Sequence, residues 1–377
     1  MKIELKQNHR RILDILRRKG PLPRIDLVEL TSLQPGTLTR LSQEMIEMGL
    51  LEDVDFDAVP GVTSLAKRKT RLLRLDGRGL FTLGIVCTVD RTAMALSSLA
   101  GEVVAHLALD ADMSDPFDVA RAAGDNVDAL LKSAGASRSQ LVAAGVSVPI
   151  NFHPRPERTF VPSRWTHWRG AAVREVFSEV LGLRTWIIND AHAAALAESY
   201  FGIGSALESF NFVYFGVGIG GGNIIERRLY PGSFGNAAAL GTHFPHGVRR
   251  PSGQDLLDYA ADHGLRVDSL FELPEDLSDH MDLGPWIDWT CDTLHPVLEL
   301  VKVMFDSEAI VIGGLLPSAV LQRLAEGLEA RTPAHMRETR YLASSLSREE
   351  FHLAAASIPQ FELTHPYAYK GQVAKGA

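Results

Sequence analysis

Over residues 8–16 the chain sets Ile12, Leu13, Ile15 and Leu16 on one helical stripe, with Arg10, Arg11, Arg17 and Arg18 around it. The spacing predicts a first helix, stopped at Gly20-Pro21. Residues 22–30 predict a second short helix with Ile25, Leu27, Val28 and Leu30 as its apolar positions. A turn, TSLQPG, follows. Gln34 then stands at a cap position, and Pro35 suits the first helical position, where its missing N–H costs nothing. In the third helix Leu38, Leu41, Met45 and Met48 recur on the inward side. Thr37, Thr39, Arg40 and Gln43 are left pointing outward.

From residue 79 the pattern changes. Apolar runs that predict strands (LFTLGIVC, LVAAGVSVPIN, RTWIIND, FNFVYFGVGIGGG, EAIVIGG) alternate with amphipathic helical stretches. These helices are DPFDVARAAGDNVDALLKSAG, AAVREVFSEVLG, AHAAALAESYFGIG, PWIDWTCDTLHPVLELVKVMF and SAVLQRLAEGLEARTP. Alternating strand and helix predicts an α/β body with mostly parallel sheets and sites at the carboxyl ends of strands. A length of 377 residues implies more than one core.

Charge sharpens the division. Residues 1–80 carry 15 Lys and Arg against 11 Asp and Glu, leaving 23 against 35 in the rest. A mildly basic head on an acidic body suggests that the head meets nucleic acid. Two short helices with a turn, the second exposing Thr, Arg and Gln near its start, suit entry into a major groove. Arg and Gln can read guanine and adenine edges, and Thr can reach bases or phosphates. The segment AKRKTRLLRLDG would then be a basic wing, with Lys67, Arg68 and Lys69 on phosphates or in a minor groove. The candidate DNA-contacting residues are Gln34, Pro35, Thr37, Thr39, Arg40, Gln43, Lys67, Arg68 and Lys69. A helical dimerisation domain with a solvated charged face is the alternative.

Two cysteines, Cys87 and Cys291, far apart, exclude a disulfide framework and a cysteine-rich zinc site. No apolar run is long enough for a transmembrane helix, and the charged N-terminus lacks a signal-peptide core. A cytoplasmic location is expected.

Four segments carry a resemblance: LQPGTLTRLSQEMIEMGLL, WIINDAHAAALAE, GVGIGGGNIIERRLYPGSFGNAA and EAIVIGG. Their order and spacing resemble the ROK family (repressors, open reading frames and sugar kinases), in particular its repressor branch, which includes the xylose and N-acetylglucosamine repressors. The resemblance implies a winged helix-turn-helix over residues 1–78, followed by a two-lobed actin-like sugar-kinase fold. The lobes are expected over residues 79–190 and 191–377, with the C-terminal segment returning to the first lobe.

By resemblance, Asp190 matches the catalytic aspartate of the family kinases and Asn189 a sugar-bonding neighbour. A helix cap is the plainer reading of Asp190, and the two roles are compatible. The family's phosphate turn, D-x-G-G-T, is replaced by LGIVCTVDRT, with Val86 at the Asp. Side chains there block backbone approach to a phosphate. Aligned on Leu240-Gly241, Ala239 stands at the family's sugar-binding Glu and Thr242 at its His, with His243 one residue off. The cysteine-rich zinc segment appears as HGVRRPSGQDLLD, without cysteine, and Asp255 stands near the last sugar-contacting Glu. Ser163 replaces a sugar-binding Asn, and Trp165, His167 and Trp168 can stack on a ring unless they are core.

These residues lead to the expectation of a DNA-binding transcriptional regulator, a repressor. Its degenerate body would sense a sugar or sugar derivative through Ser163, Asn189, Asp190 and His243. No catalysis, cofactor or metal is expected. The partners are an operator duplex, a small effector and further copies in a homodimer or homotetramer. An ATP-dependent sugar kinase with a fused head is the alternative.

Overall fold

The structure is a computed structural model, and it describes residues 4–56, 71–163, 165–169, 172–244, 247–336 and 338–366. The head comprises α1 (Gln7–Lys19), β1 (Leu22–Pro23), α2 (Arg24–Thr31), α3 (Pro35–Glu47), β2 (Leu51–Asp55) and β3 (Arg71–Leu75). Ile12, Leu27, Leu38 and Met45 are fully buried between the three helices, as the helical spacing predicts. The second helix starts later than expected, at Arg24. Leu22 precedes a proline, which favours extended backbone, and Leu22–Pro23 instead pairs with Leu72 and Leu73 in the sheet β1-β3-β2. Met48 lies at the C-cap of α3, half-buried. Arg24 holds the head's parts in register through a paired hydrogen bond to Asp53 at 2.7 and 2.9 Å. Lys67, Arg68 and Lys69 lie outside the described residues.

The body has two five-stranded sheets. The first contains β4 (Phe81–Cys87), β5 (Thr92–Ser98), β6 (Val103–Ala108), β7 (Leu141–Val148) and β8 (Thr185–Asn189), in the order β6-β5-β4-β7-β8. The second contains β9 (Phe210–Phe215), β10 (Ile219–Ile225), β11 (Arg228–Leu229), β12 (Ala309–Gly314) and β13 (Arg340–Ala343), in the order β11-β10-β9-β12-β13. Each sheet starts as an antiparallel meander and then adds two parallel strands. The two lobes therefore repeat one topology, although their sequences differ.

The helices are α4 (Pro116–Ser133), α5 (Val173–Leu181), α6 (Asp190–Phe201), α7 (Gly253–Asp262), α8 (Leu277–His280), α9 (Gly284–Phe305), α10 (Ser318–Arg331) and α11 (Leu353–Thr364). α6 and α11 pack on each other between the sheets, α6 against β10 and α11 against β4 and β7. Glycine makes both contacts possible. A Cβ on Gly84 would meet the Ala356 nitrogen at 2.6 Å, and one on its strand partner Gly145 would meet the Ala355 oxygen at 2.3 Å. On the other sheet a Cβ on Gly222 would sit 2.6 Å from the Ala195 Cβ. The glycine run of residues 216–222 is thus a hairpin and strand that let α6 lie close.

Trp165 and Trp168 are 2 % and 1 % exposed, packed on each other, with Trp168 also against Phe177. They are core of the first lobe and are not free to stack on a sugar. Among the described residues no helix is long and apolar enough to cross a membrane.

Candidate functional site

In the head, the start of α3 forms the exposed edge. Gln34, Pro35, Thr39, Arg40 and Gln43 are exposed, and Thr37 is half-buried. Arg40 is the prominent cation, 66 % exposed and 3.5 Å from Glu44. Gln43 donates to Glu47 one turn on, at 3.1 Å. Thr39 returns its hydroxyl to the Pro35 carbonyl, so only its methyl and oxygen lone pairs face outward. In the β2–β3 hairpin Arg74 pairs with Glu52 and Arg71 donates to the Asp53 carbonyl.

The body's site lies between the lobes, where β8 ends and α6 begins. Asn189, not Asp190, is the N-cap. Its side-chain oxygen accepts from Ala191 N at 2.9 Å and its amide donates to Asn151 Oδ1 at 3.0 Å. Asp190 occupies the first helical position, half-buried, and burial pushes its carboxyl up to about 7 despite hydrogen bonds that oppose the shift. Asp190 lines a cavity of about 40 Å³ together with Val86, Thr88, Ser147, Tyr214 and Phe351. That volume holds a few waters, well short of the several hundred cubic ångströms a sugar-sized ligand needs. A larger ligand therefore requires the lobes to part.

Several neighbours fix the cavity's chemistry. The Tyr214 phenol is raised well above its ordinary value by burial, then by Asp190 and Asp90, so it stays a donor. Ser147 is fully buried and its hydroxyl has no hydrogen-bond partner. Glu198 is buried and raised by that burial, while Ser344 Oγ and Ile203 N donate to it. The β4–β5 turn, where the family's phosphate turn would stand, is closed on itself. Thr88 N donates to Arg91 O at 2.8 Å, Arg91 N to Thr88 Oγ at 3.0 Å, and Thr88 Oγ to Asp90 at 2.8 Å. These three donors are therefore engaged within the turn itself. Gly314 (φ 123°) serves packing, because a Cβ there would meet the Phe215 oxygen at 2.3 Å.

Ser163 and His243 are exposed and do not line the cavity. Asp255 is held by Arg249 at 2.8 Å and by the Trp286 indole at 2.9 Å. Among the described residues no three His, Cys, Asp or Glu side chains gather as a metal site would need; His246 lies outside them. Sequence reading missed a bridge between loops of the two lobes. Asn236 donates to the Phe152 carbonyl at 2.7 Å, and the rings of His153 and Phe234 stack at 5.1 Å. No local pattern announces this pairing of loops about 80 residues apart.

Head and body are joined through α1. Arg10 donates to the Glu362 and His365 carbonyls, both at 3.1 Å, at the end of α11. The Arg17 guanidinium lies 3.7 Å from the centroid of the Tyr200 ring, near the end of α6, and also pairs with Asp14. Arg18 reaches Glu208 at 3.7 Å.

The profile of the ROK family matches residues 82–254, and that of a winged helix-turn-helix DNA-binding domain matches residues 5–52. A Sinorhizobium fredii protein, y4fQ, is 30% identical over 328 residues, covering 86% of this chain and 82% of that one. The chain belongs to the ROK family. The xylose repressor of Caldicellulosiruptor bescii is 24% identical over 58% of this chain, an alignment that spans about half (54%) of that repressor. Among solved structures, a ROK family transcriptional regulator described as a homolog of Escherichia coli Mlc superposes with a TM-score of 0.70. It is 20% identical and covers 95% of this chain and 96% of its own. Head and body together are thus organised as in the transcriptional regulators of the ROK family.

Proposed function

We propose that this ROK regulator is a cytoplasmic DNA-binding repressor that senses a small polyhydroxylated molecule, a sugar or its derivative, and does not phosphorylate it. The observation that carries the reading is the placement of the two cleft helices. α6 starts at Asp190 and ends beside Tyr200, and α11 lines the cavity at Ala354 and ends at the carbonyls held by Arg10. A ligand that parts the lobes displaces both helices, and the head docked on their ends moves with them. Such a ligand acts only through its differential affinity for the two arrangements.

In this reading Gln34, Pro35, Thr37, Thr39, Arg40 and Gln43 meet the major groove, and Lys67, Arg68 and Lys69 meet backbone phosphates. Asn189 and Asp190 contact the effector directly, and Ser163 and His243 border the entrance. Two copies place two heads on a partly palindromic operator. Fluorescence anisotropy on duplexes tiled upstream of the protein's own gene, with random DNA as competitor, tests the reading. One fragment bound well above background by the wild type and lost in Arg40→Ala supports it. Equal affinity in Arg40→Ala removes α3 as the reading helix.

A sugar kinase is the second reading, and Asp190 is what favours it. A carboxylate with a pKa raised to about 7 is poised as a general base near neutral pH. ATP turnover that disappears in Asp190→Asn would establish it.

A further inference from the structure

The last turns of α9 carry an apolar face that nothing in the described chain covers. Leu300, Val303 and Met304 are 58, 70 and 68 % exposed. Pro296, one turn earlier, is exposed too, with Val297 half-buried at its edge. Positions 296, 300 and 304 form one ridge, since residues four apart line up along a helix. Among the described residues no other helix exposes three large apolar side chains. Single exposed apolar residues are ordinary, whereas a contiguous patch marks an interaction site. The stretch from Leu300 to Phe305 contains one charged residue, Lys302, which is buried with its ammonium 3.2 Å from Glu299. The acidic half of the same helix is satisfied within the chain, Asp288 and Asp292 pairing with Arg331 at 3.0 and 2.7 Å. Beyond the apolar face lie Asp306 and Glu308, both exposed. That acidic rim disfavours an anionic membrane surface, which attracts helices rich in Lys and Arg.

What suits the face is another uncharged helical ridge, and a second copy supplies one. We infer that the outer face of α9 is an interface between two copies of this chain, paired about a two-fold axis through Leu300. In such an isologous contact Leu300 meets its mate, and Met304 of each copy meets Pro296 of the other. The position of the face supports this occupant. Four residues past Met304, Glu308 accepts from Glu208 N at 2.7 Å, and Glu208 in turn pairs with Arg18 of the head. An axis through Leu300 therefore sets the two heads close to it, one on either side, as the two half-sites of one operator require. This deepens the reading of two copies on one operator. What the paired heads do rests on that reading, and the contact itself does not.

Sedimentation equilibrium of the full chain, without DNA, tests the contact. The wild type is expected as a dimer at micromolar concentration. Leu300→Arg and Leu300→Glu each set two like charges against one another across the axis. Each is expected to raise the dimer dissociation constant at least about a hundredfold. Mixed one to one, the two variants are expected to recover the dimer, because their charges then oppose. Val303→Ser/Met304→Ser adds no charge and is expected to weaken the dimer with an unchanged circular dichroism spectrum, which guards against a folding defect. A monomeric wild type overturns the inference. So do dimers that persist in both Leu300 variants, folded variants that stay monomeric when mixed, or an unchanged dissociation constant in Val303→Ser/Met304→Ser. In a second arm, anisotropy on DNA separates this inference from the operator reading. A wild-type dimer that binds every duplex alike leaves the α9 contact standing and removes the operator reading.

Discussion

The Arg17 guanidinium of the head lies over the Tyr200 ring of the body, 3.7 Å from its centroid. With Arg10 on the α11 carbonyls, this contact fastens α1 to the ends of both helices that begin at the cleft. A desolvated cation–π contact and half-buried hydrogen bonds to a charged donor contribute on the order of 2 kcal/mol each. Removing both in Arg10→Ala/Arg17→Ala is expected to free the head. Calorimetry should then show a separate, lower-temperature transition where the wild type unfolds as one. A trace that superposes on the wild type's would place the docking energy elsewhere.

Arg40→Ala should cost about 1–3 kcal/mol of specific DNA binding. Its side chain is two-thirds exposed and pairs only loosely with Glu44, so the melting temperature should stay within a degree or two. Gln43→Ala should behave alike with a smaller loss. Anisotropy titrations against matched and scrambled duplexes separate this pattern from a general loss of DNA affinity.

Asp190 should make the protein less stable as the pH rises. Its folded pKa of about 7 lies above the ordinary 3.8. Between those values the native carboxyl keeps a proton that the unfolded chain has released. The associated stability is fully present below about pH 4 and is lost as pH rises through 7. Asp190→Asn carries no charge at any pH. It should therefore exceed the wild type by on the order of 4 kcal/mol at pH 8 and converge with it near pH 4. Denaturant midpoints at the two pH values check this, and an equal difference at both would remove the buried-carboxyl account.

Trp168→Ala should destabilise the first lobe by about 3–5 kcal/mol, the cost of emptying an aromatic site in a core. The indole is 1 % exposed and donates to the Met113 carbonyl at 2.9 Å. Urea midpoints should drop accordingly, whereas an unchanged midpoint with weakened ligand response would return this residue to the binding site.

Much of this architecture is legible in the sequence because it follows local periodicity. Leu38, Leu41 and Met45 recur at helical spacing, so α3 and its outward face follow directly. The strand-turn-strand around Gly218 is equally local. Leu22 misleads because its apolar spacing suits a helix while the proline after it selects extended backbone, a choice that pairing with β3 fixes. Asn189 and Asp190 are both good cap residues, and only the turn from β8 into α6 decides between them. The contacts of Asn236 with Phe152, and of Arg10 with α11, join segments whose meeting depends on how the sheets and helices pack. The burial of Trp165 and Trp168 is set in the same way, by partners distant in the chain.

Selection of bound duplexes from a random-sequence pool tests the central claim most directly, since it requires no knowledge of the operator or effector. The account predicts enrichment of a partly two-fold-symmetric sequence, bound at least about a thousandfold more tightly than unselected DNA, with that enrichment lost in Arg40→Ala. A pool that stays unenriched through repeated rounds, with the protein folded and its DNA binding indifferent to sequence, would contradict it.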